Sequence, residues 1–253
     1  MNLTNKKIKK LKNEYNKNGF VLVKNFLPKA SCKKALKWLN NKNKKKLSKS
    51  WTEQEPGVDL AVYFVIHSGK SPIAKLANNK KVLDLASNLV EDKVYIYSSK
   101  VNLKAAWCGA VEYFHQDLVY WRDRGYPRDD MLSAMVFLES HNDQNAPLNI
   151  FPKTHKLGFV KHEPFINVNG LAKFMVPPKT LSSLKKRYGV KRINAEPGDV
   201  LFFHMGCVHG SGHNISSKNR TVVLSQLNVE GNIPINVEKN SKKFNLLRAK
   251  REA

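Results

Sequence analysis

The feature that most limits how this chain can fold is a change of hydrophobic period near residue 94. From there "VYIYSSKVNLK" alternates in strand fashion. "MLSAMVFLE", "PLNIF", "DVLFFH" and "TVVLSQLNV" are further strand candidates separated by turn residues. "EPGDV" (196–200) reads as a tight turn feeding a strand. Before residue 94 the spacing is helical. Ile8, Leu11 and Tyr15 recur within a lysine-rich stretch, 5–17. A second helix is expected over 28–41, with Pro28 at its start and Ala35, Leu36, Trp38 and Leu39 available for a buried face. A third is expected over 71–90. "GFVLVKNFL" (19–27) reads as a short strand, and 41–50 as a polar loop. Helices followed by a run of short strands predict a mainly β protein with packed helices. The natural closed form is a double-stranded β-helix, the cupin-like jelly roll. With no internal repeat and no splitting linker, residues 1–253 read as one domain. It has a helix-rich part (1–93), a β core (94–230) and a C-terminal extension (231–253).

Composition narrows the function. The 253 residues are enough to bury a real core. No apolar run approaches the ~20 residues of a membrane helix. The first twenty residues hold no apolar stretch of signal-peptide length, so a cytoplasmic location is expected. Cys32, Cys108 and Cys207 form no close pair, and their odd number argues against a disulfide framework. The net charge is +24. Such a balance suits a nucleic-acid or anionic-membrane partner. Here the excess is mostly lysine, scattered through the chain, accompanied by abundant asparagine, and not interleaved with Arg and aromatic residues as a stacking surface requires. Both residues have AT-rich codons, so genome bias explains the charge without a nucleic-acid partner. An anionic small-molecule substrate is compatible with it. Nothing in the sequence sets an oligomeric state.

Three segments carry chemistry. "FHQDLVYW" (114–121) places His115 and Asp117 two positions apart in a segment otherwise suited to a strand. "FFHMGCVHGSGHN" (202–214) holds His204, His209 and His213, and "NRTVVLSQL" opens a strand with Arg220. An open Fe(II) site needs two neutral imidazoles and one carboxylate on one face of the metal, the other positions being left for cosubstrate and O2. A His-x-Asp pair at a strand end supplies two ligands, because the residue between them points away. The third must come from another strand. His204 ends a strand pattern ahead of Met205-Gly206, which suits packing beneath the site, and His213 lies beyond two glycines. His209 combines strand register with the spacing to Ser211 and Arg220. A 2-oxo diacid on such a metal leaves its distal carboxylate to be neutralised. Arg220 does this by a two-pronged contact, and Ser211 donates a hydroxyl. Cys207 is read as core, and His67, His141, His155 and His162 as loop or surface residues without function.

The chain here resembles the phytanoyl-CoA dioxygenase family of Fe(II)/2-oxoglutarate oxygenases, over nearly its whole length. "NEYNKNGFVLVKNFLP" (13–28) looks like the family's entry helix and first strand, and "YSSKVNLK" (97–104) like the strand before the metal pair. "FHQD" matches the metal motif. "APLNIFPKTHKLG" (146–158) resembles the "NGPL…PGSHK" turn, with Ala146 and Lys153 replacing glycines. "EPGDVLFFH" and "HGSGHNISSKNR" resemble the closing segment. The resemblance implies His115, Asp117 and His209 as iron ligands, and Arg220 and Ser211 as holders of the 2-oxoglutarate distal carboxylate. It implies Lys100 and Asn102 as residues facing cosubstrate or substrate. Trp121 matches a tryptophan of the substrate pocket in the similar ectoine hydroxylases.

The implied activity is hydroxylation of a small polar metabolite, consuming 2-oxoglutarate and O2 and releasing succinate and CO2. Related halogenases replace the carboxylate ligand with Ala or Gly, so Asp117 argues against chlorination. A non-catalytic cupin-like binding protein would show a damaged triad or lack the Arg, and neither is seen. A nucleic-acid demodifying oxygenase would need a basic groove concentrated beside the metal.

Overall fold

The computed structural model describes residues 3–43, 52–55, 58–64, 66–107, 109–121, 125–166 and 172–233. Cys108, most of the expected loop 41–50 and the extension beyond residue 233 lie outside them. The chain opens with α1 (Asn5–Asn18), whose first turn is capped by the Thr4 side chain and which stops at Gly19 in the left-handed region. β1 (Phe20–Val23) and α2 (Lys29–Trp38) follow, the latter running into a short π-helical turn, Leu39–Asn43. The helix expected over 71–90 is two helices, α3 (Pro72–Ala77) and α4 (Lys80–Val90). The break falls at Asn78-Asn79, where the Asn79 side chain accepts from Lys81 N and starts a new helix.

The strands form two main sheets. β4 (Val94–Lys104), β6 (Leu132–Phe137), β11 (Val200–His204) and β13 (Arg220–Val229) make the centre of a seven-stranded sheet. β1 borders β11 on one side. β3 (Val58–Phe64) and then β2 (Thr52–Glu55) extend the other side beyond β4. β5 (Glu112–His115), β7 (Leu148–Ile150), β10 (Lys191–Ile193) and β12 (His209–Ser211) make a four-stranded sheet in the order β10-β7-β12-β5. Successive strands pass from one sheet to the other: β4 large, β5 small, β6 large, β7 and β10 small, β11 large, β12 small, β13 large. That is the winding of a double-stranded β-helix, the jelly roll read from the strand pattern. The hairpin β8 (Glu163–Ile166) and β9 (Ala172–Met175), and α5 (Pro178–Tyr188), were not legible as elements in the sequence.

The centre of the large sheet (β4, β6, β11 and β13) is buried on both faces, and the alternation of side chains along each strand sorts residues between two cores. Ala134, Val136, Val200, Phe202 and Val223 pack with α1, α2, α3 and α4. Their neighbours Met135, Phe137, Leu201, Phe203, Val222 and Leu224 face the small sheet and meet Leu148, Ile150 and Ile193. No helix among the described residues is long and apolar enough to cross a membrane.

The "EPGD" turn locks the N-terminal segment onto this frame. Asp199 is buried and accepts from Asn25 N at 2.7 Å, Lys24 Nζ at 2.9 Å and Glu196 N at 2.9 Å. Gly198 sits at φ 91°, and a side chain there would run into the Leu27 carbonyl. Asp199→Ala removes the acceptor of three donors, two of them backbone N–H groups. It should cost about 3 kcal/mol of stability in urea unfolding. A loss below about 1 kcal/mol would mean that the turn is held by packing instead.

Candidate metal centre

The small sheet brings the three expected ligands together. β5 and β12 run antiparallel with His115 directly opposite His209. The strand in the 114–121 segment ends at His115. Gln116 is still extended, and Asp117 then opens a 3-10 turn, Asp117–Tyr120. The turn brings the carboxylate to the imidazoles: His115 Nε2 lies 3.4 Å and His209 Nε2 3.8 Å from Asp117 Oδ1. One ligand atom from each of the three residues lies within 4.8 Å of the others, and all three side chains are buried.

Hydrogen bonds fix which atoms face inward. Nδ1–H of His115 donates to the Tyr113 carbonyl at 2.7 Å, and Nδ1–H of His209 to the Cys207 carbonyl at 2.9 Å. Both tautomers therefore leave Nε2 for a metal. Ser133 on β6 donates to Asp117 Oδ2 at 3.2 Å, leaving Oδ1 turned to the two rings. Two buried imidazoles and a buried carboxylate brought together are the donor set of an open iron site. Burial and the neighbouring His115 push the His209 imidazole down to about 4, so it stays neutral. Burial opposes charge on His115 and Asp117 too. Their mutual hydrogen bond and the adjoining charges win, raising His115 and holding Asp117 below the usual carboxylate range. A divalent cation would compete with the proton this pair shares.

Gln116 is pinned between the ligands. Its Nε2 donates to Gly158 O at 2.8 Å and Gly206 O at 2.7 Å, its Oε1 accepts from Val160 N, and its own N–H donates to His162 Nε2 at 3.0 Å. His162 thus braces the backbone between the ligands, a role the sequence did not show. His141 corrects the sequence reading more sharply: it is buried edge-on to Phe137 at 4.5 Å, with burial and the cations Arg220 and Lys104 keeping it neutral. His204 accepts from Gly206 N, faces His155 and stands outside the triad. His213 is exposed. Cys207 is core: its thiol donates to Gly19 O, and burial pushes it up to about 12.

Beside the triad lies a pair of buried cations. On β4, Lys100, Asn102 and Lys104 share one face, and Lys104 is the Cα partner of Arg220 on β13. Arg220 Nη1 donates to Ala146 O, and its Nε has no partner among the described residues. Burial pulls Arg220 down to about 10, opposed by the charge of Glu112. Lys104 donates to Ser211 Oγ and Gly212 O, each at 2.7 Å. Because Ser211 accepts from Lys104, its own proton is available to another acceptor. Lys104 follows Lys100 and Asn102 in the same alternation, so a period-2 reading carried two positions further would have found it. The Asn102 Oδ1 is buried and has no hydrogen-bond partner among the described residues. Trp121 follows the 3-10 turn and packs edge-on to Tyr97 at 4.3 Å, in a cluster with Tyr95, Leu118, Met131 and Met205.

A jelly roll with two imidazoles and a carboxylate at the mouth of its small sheet is the frame of a non-haem iron oxygenase. The profile of the phytanoyl-CoA dioxygenase family matches residues 15–222, and the chain belongs to that family, which uses Fe(II), 2-oxoglutarate and O2. It is 29% identical over 179 residues to the L-proline trans-4-hydroxylase of Streptomyces griseoviridis, covering 66% of this chain and 67% of that one. It is 30% identical over 191 residues to the ectoine dioxygenase of Sphingopyxis alaskensis, covering 72% of this chain and 62% of that one. The matched segment thus spans under two thirds of the ectoine dioxygenase. Among solved structures, EctD from S. alaskensis with 2-oxoglutarate and 5-hydroxyectoine matches at 26% identity and a TM-score of 0.76, covering 96% of this chain and 85% of that one. The epimerase SnoN from nogalamycin biosynthesis, at 16% identity and a TM-score of 0.67, shares the fold.

Gln116→Ala leaves all three donors in place but removes their brace. Fe(II) affinity in an anaerobic titration should fall roughly 10- to 100-fold. Unchanged affinity would show that the ligands hold their positions without it.

Proposed function

We propose that the chain is an Fe(II)- and 2-oxoglutarate-dependent dioxygenase that hydroxylates a small polar metabolite, releasing succinate and CO2. The observation that carries the reading is the convergence of His115 Nε2, His209 Nε2 and Asp117 Oδ1 beside two buried cations. His115, Asp117 and His209 would hold the iron. Bound there, Fe(II) would supply the reduction of O2 that is coupled to loss of CO2 from 2-oxoglutarate.

The chain's own residues bind, orient and keep water out. Arg220 and Lys104 offer positive charge to the distal carboxylate, and Ser211 offers the proton that its contact with Lys104 leaves free. Asn102 and Lys100, on the same face of β4, would meet the rest of the cosubstrate. Trp121 would wall the substrate side. Burial of all three ligands keeps the reacting atoms from solvent. The excess of cations around the pocket supports a substrate with an anionic group. The shared seven-stranded sheet, built from both the N-terminal part and the core, supports one domain over the whole chain. The buried free thiols Cys32 and Cys207 support a reducing, cytoplasmic setting.

Anaerobic absorbance tests the centre. Fe(II) with 2-oxoglutarate should give a metal-to-ligand charge-transfer band that His209→Ala abolishes. Bound iron without the band would overturn the reading and favour a binding protein. Lys104→Met should keep iron binding but raise the KM for 2-oxoglutarate roughly tenfold or more, the weight of a hydrogen bond to a charged group. An unchanged KM would take Lys104 out of the cosubstrate site.

A further inference from the structure

His141 is the buried titratable group that the oxygenase reading leaves without a task. It is 1% exposed, and neither ring nitrogen has a hydrogen-bond partner among the described residues. Its backbone is pinned to the segment before β11: His141 N donates to Ala195 O at 2.7 Å, and Ala195 N to His141 O at 3.0 Å. The Thr221 carbonyl lies near the ring, but it accepts from Leu138 N and makes no hydrogen bond with the imidazole. A buried ring with both nitrogens unsatisfied costs stability that a bound polar group would recover.

The ring stands beside the two buried cations. It meets Phe137 edge-on at 4.5 Å, and Phe137 is the Cα partner of Val222 on β13. Both belong to the core between the sheets. Arg220 precedes Val222 by two positions and so shares its face of β13. Across the other seam, Asn102 pairs with Val222 and Lys104 with Arg220. The charges of Arg220 and Lys104 reach the imidazole and help to keep it neutral. Arg220 Nε and Asn102 Oδ1 are also buried without hydrogen-bond partners among the described residues. The same stretch of the inner face thus gathers unsatisfied polar atoms from β4, β13 and the segment after β6.

We propose that His141 is a specificity-determining residue of the cosubstrate site, its ring N–H donating to the distal carboxylate of 2-oxoglutarate alongside Arg220. The proposal rests on the oxygenase reading. A carboxylate carries one negative charge, and Arg220 and Lys104 already supply two positive ones. A third buried cation would add only repulsion. A neutral imidazole adds a directed hydrogen bond without adding charge. It also discriminates. A diacid satisfies the N–H, whereas a 2-oxo acid that ends in a methyl group leaves it unsatisfied in the core.

The test compares 2-oxoglutarate with 2-oxopentanoate, which has the same chain length and the same chelating end but no distal carboxylate. Each is titrated anaerobically into the Fe(II)-loaded protein and followed by the charge-transfer band. The wild type should bind 2-oxoglutarate more tightly. His141→Phe keeps a ring against Phe137 but has no N–H. It should weaken 2-oxoglutarate roughly tenfold or more, hold 2-oxopentanoate within about twofold and leave Fe(II) affinity unchanged. His141→Met, whose flexible side chain fills irregular space, carries the same comparison if His141→Phe does not fold. A purely structural His141 would weaken both acids alike or neither, and either result would overturn the proposal. So would a wild type that gives the band without preferring 2-oxoglutarate, an outcome that leaves the oxygenase reading standing. Bound iron with no band at all would remove that reading, and this proposal with it.

Discussion

Across the seam between β5 and β12, two histidines 94 positions apart in sequence stand face to face. Each strand is short, four residues and three, and contributes little hydrogen bonding on its own. The seam holds because neighbours fix both edges. β7 pairs with the far side of β12, and the hairpin lies along β5. The imidazoles and the Asp117 turn both follow from this register. A slip by one residue would turn His209 out of the pocket and put Gly210 in its place.

The charges then have to be balanced. Arg220 and Lys104 are buried side by side in adjacent strands, an arrangement that costs stability unless an anion or strong acceptors meet them. Ser211, Gly212 and Ala146 supply neutral oxygens. A dicarboxylate such as 2-oxoglutarate would answer the remaining demand better than a neutral ligand.

The central strands of the large sheet were readable because burial on two faces leaves long apolar runs, and β4 spans the same eleven residues that the sequence suggested, whereas β2 and β3 were not read as strands. The convergence of His115, Asp117 and His209 was readable from spacing and residue type. The rest depended on tertiary structure. β10 and β12, three residues each and without a flanking apolar run, carry too little period to be seen. His141 looked like a loop residue since its neighbours are Ser, Asn and Asp, yet it is covered by Phe137. Ser133 and Gln116 touch the ligands or brace them through contacts 16 to 90 positions away in sequence.

The depth of the two cations has a kinetic meaning. Arg220 and Lys104 are almost fully enclosed. An anion reaching this pair would have to shed its water on the way, so its entry and exit would be slow.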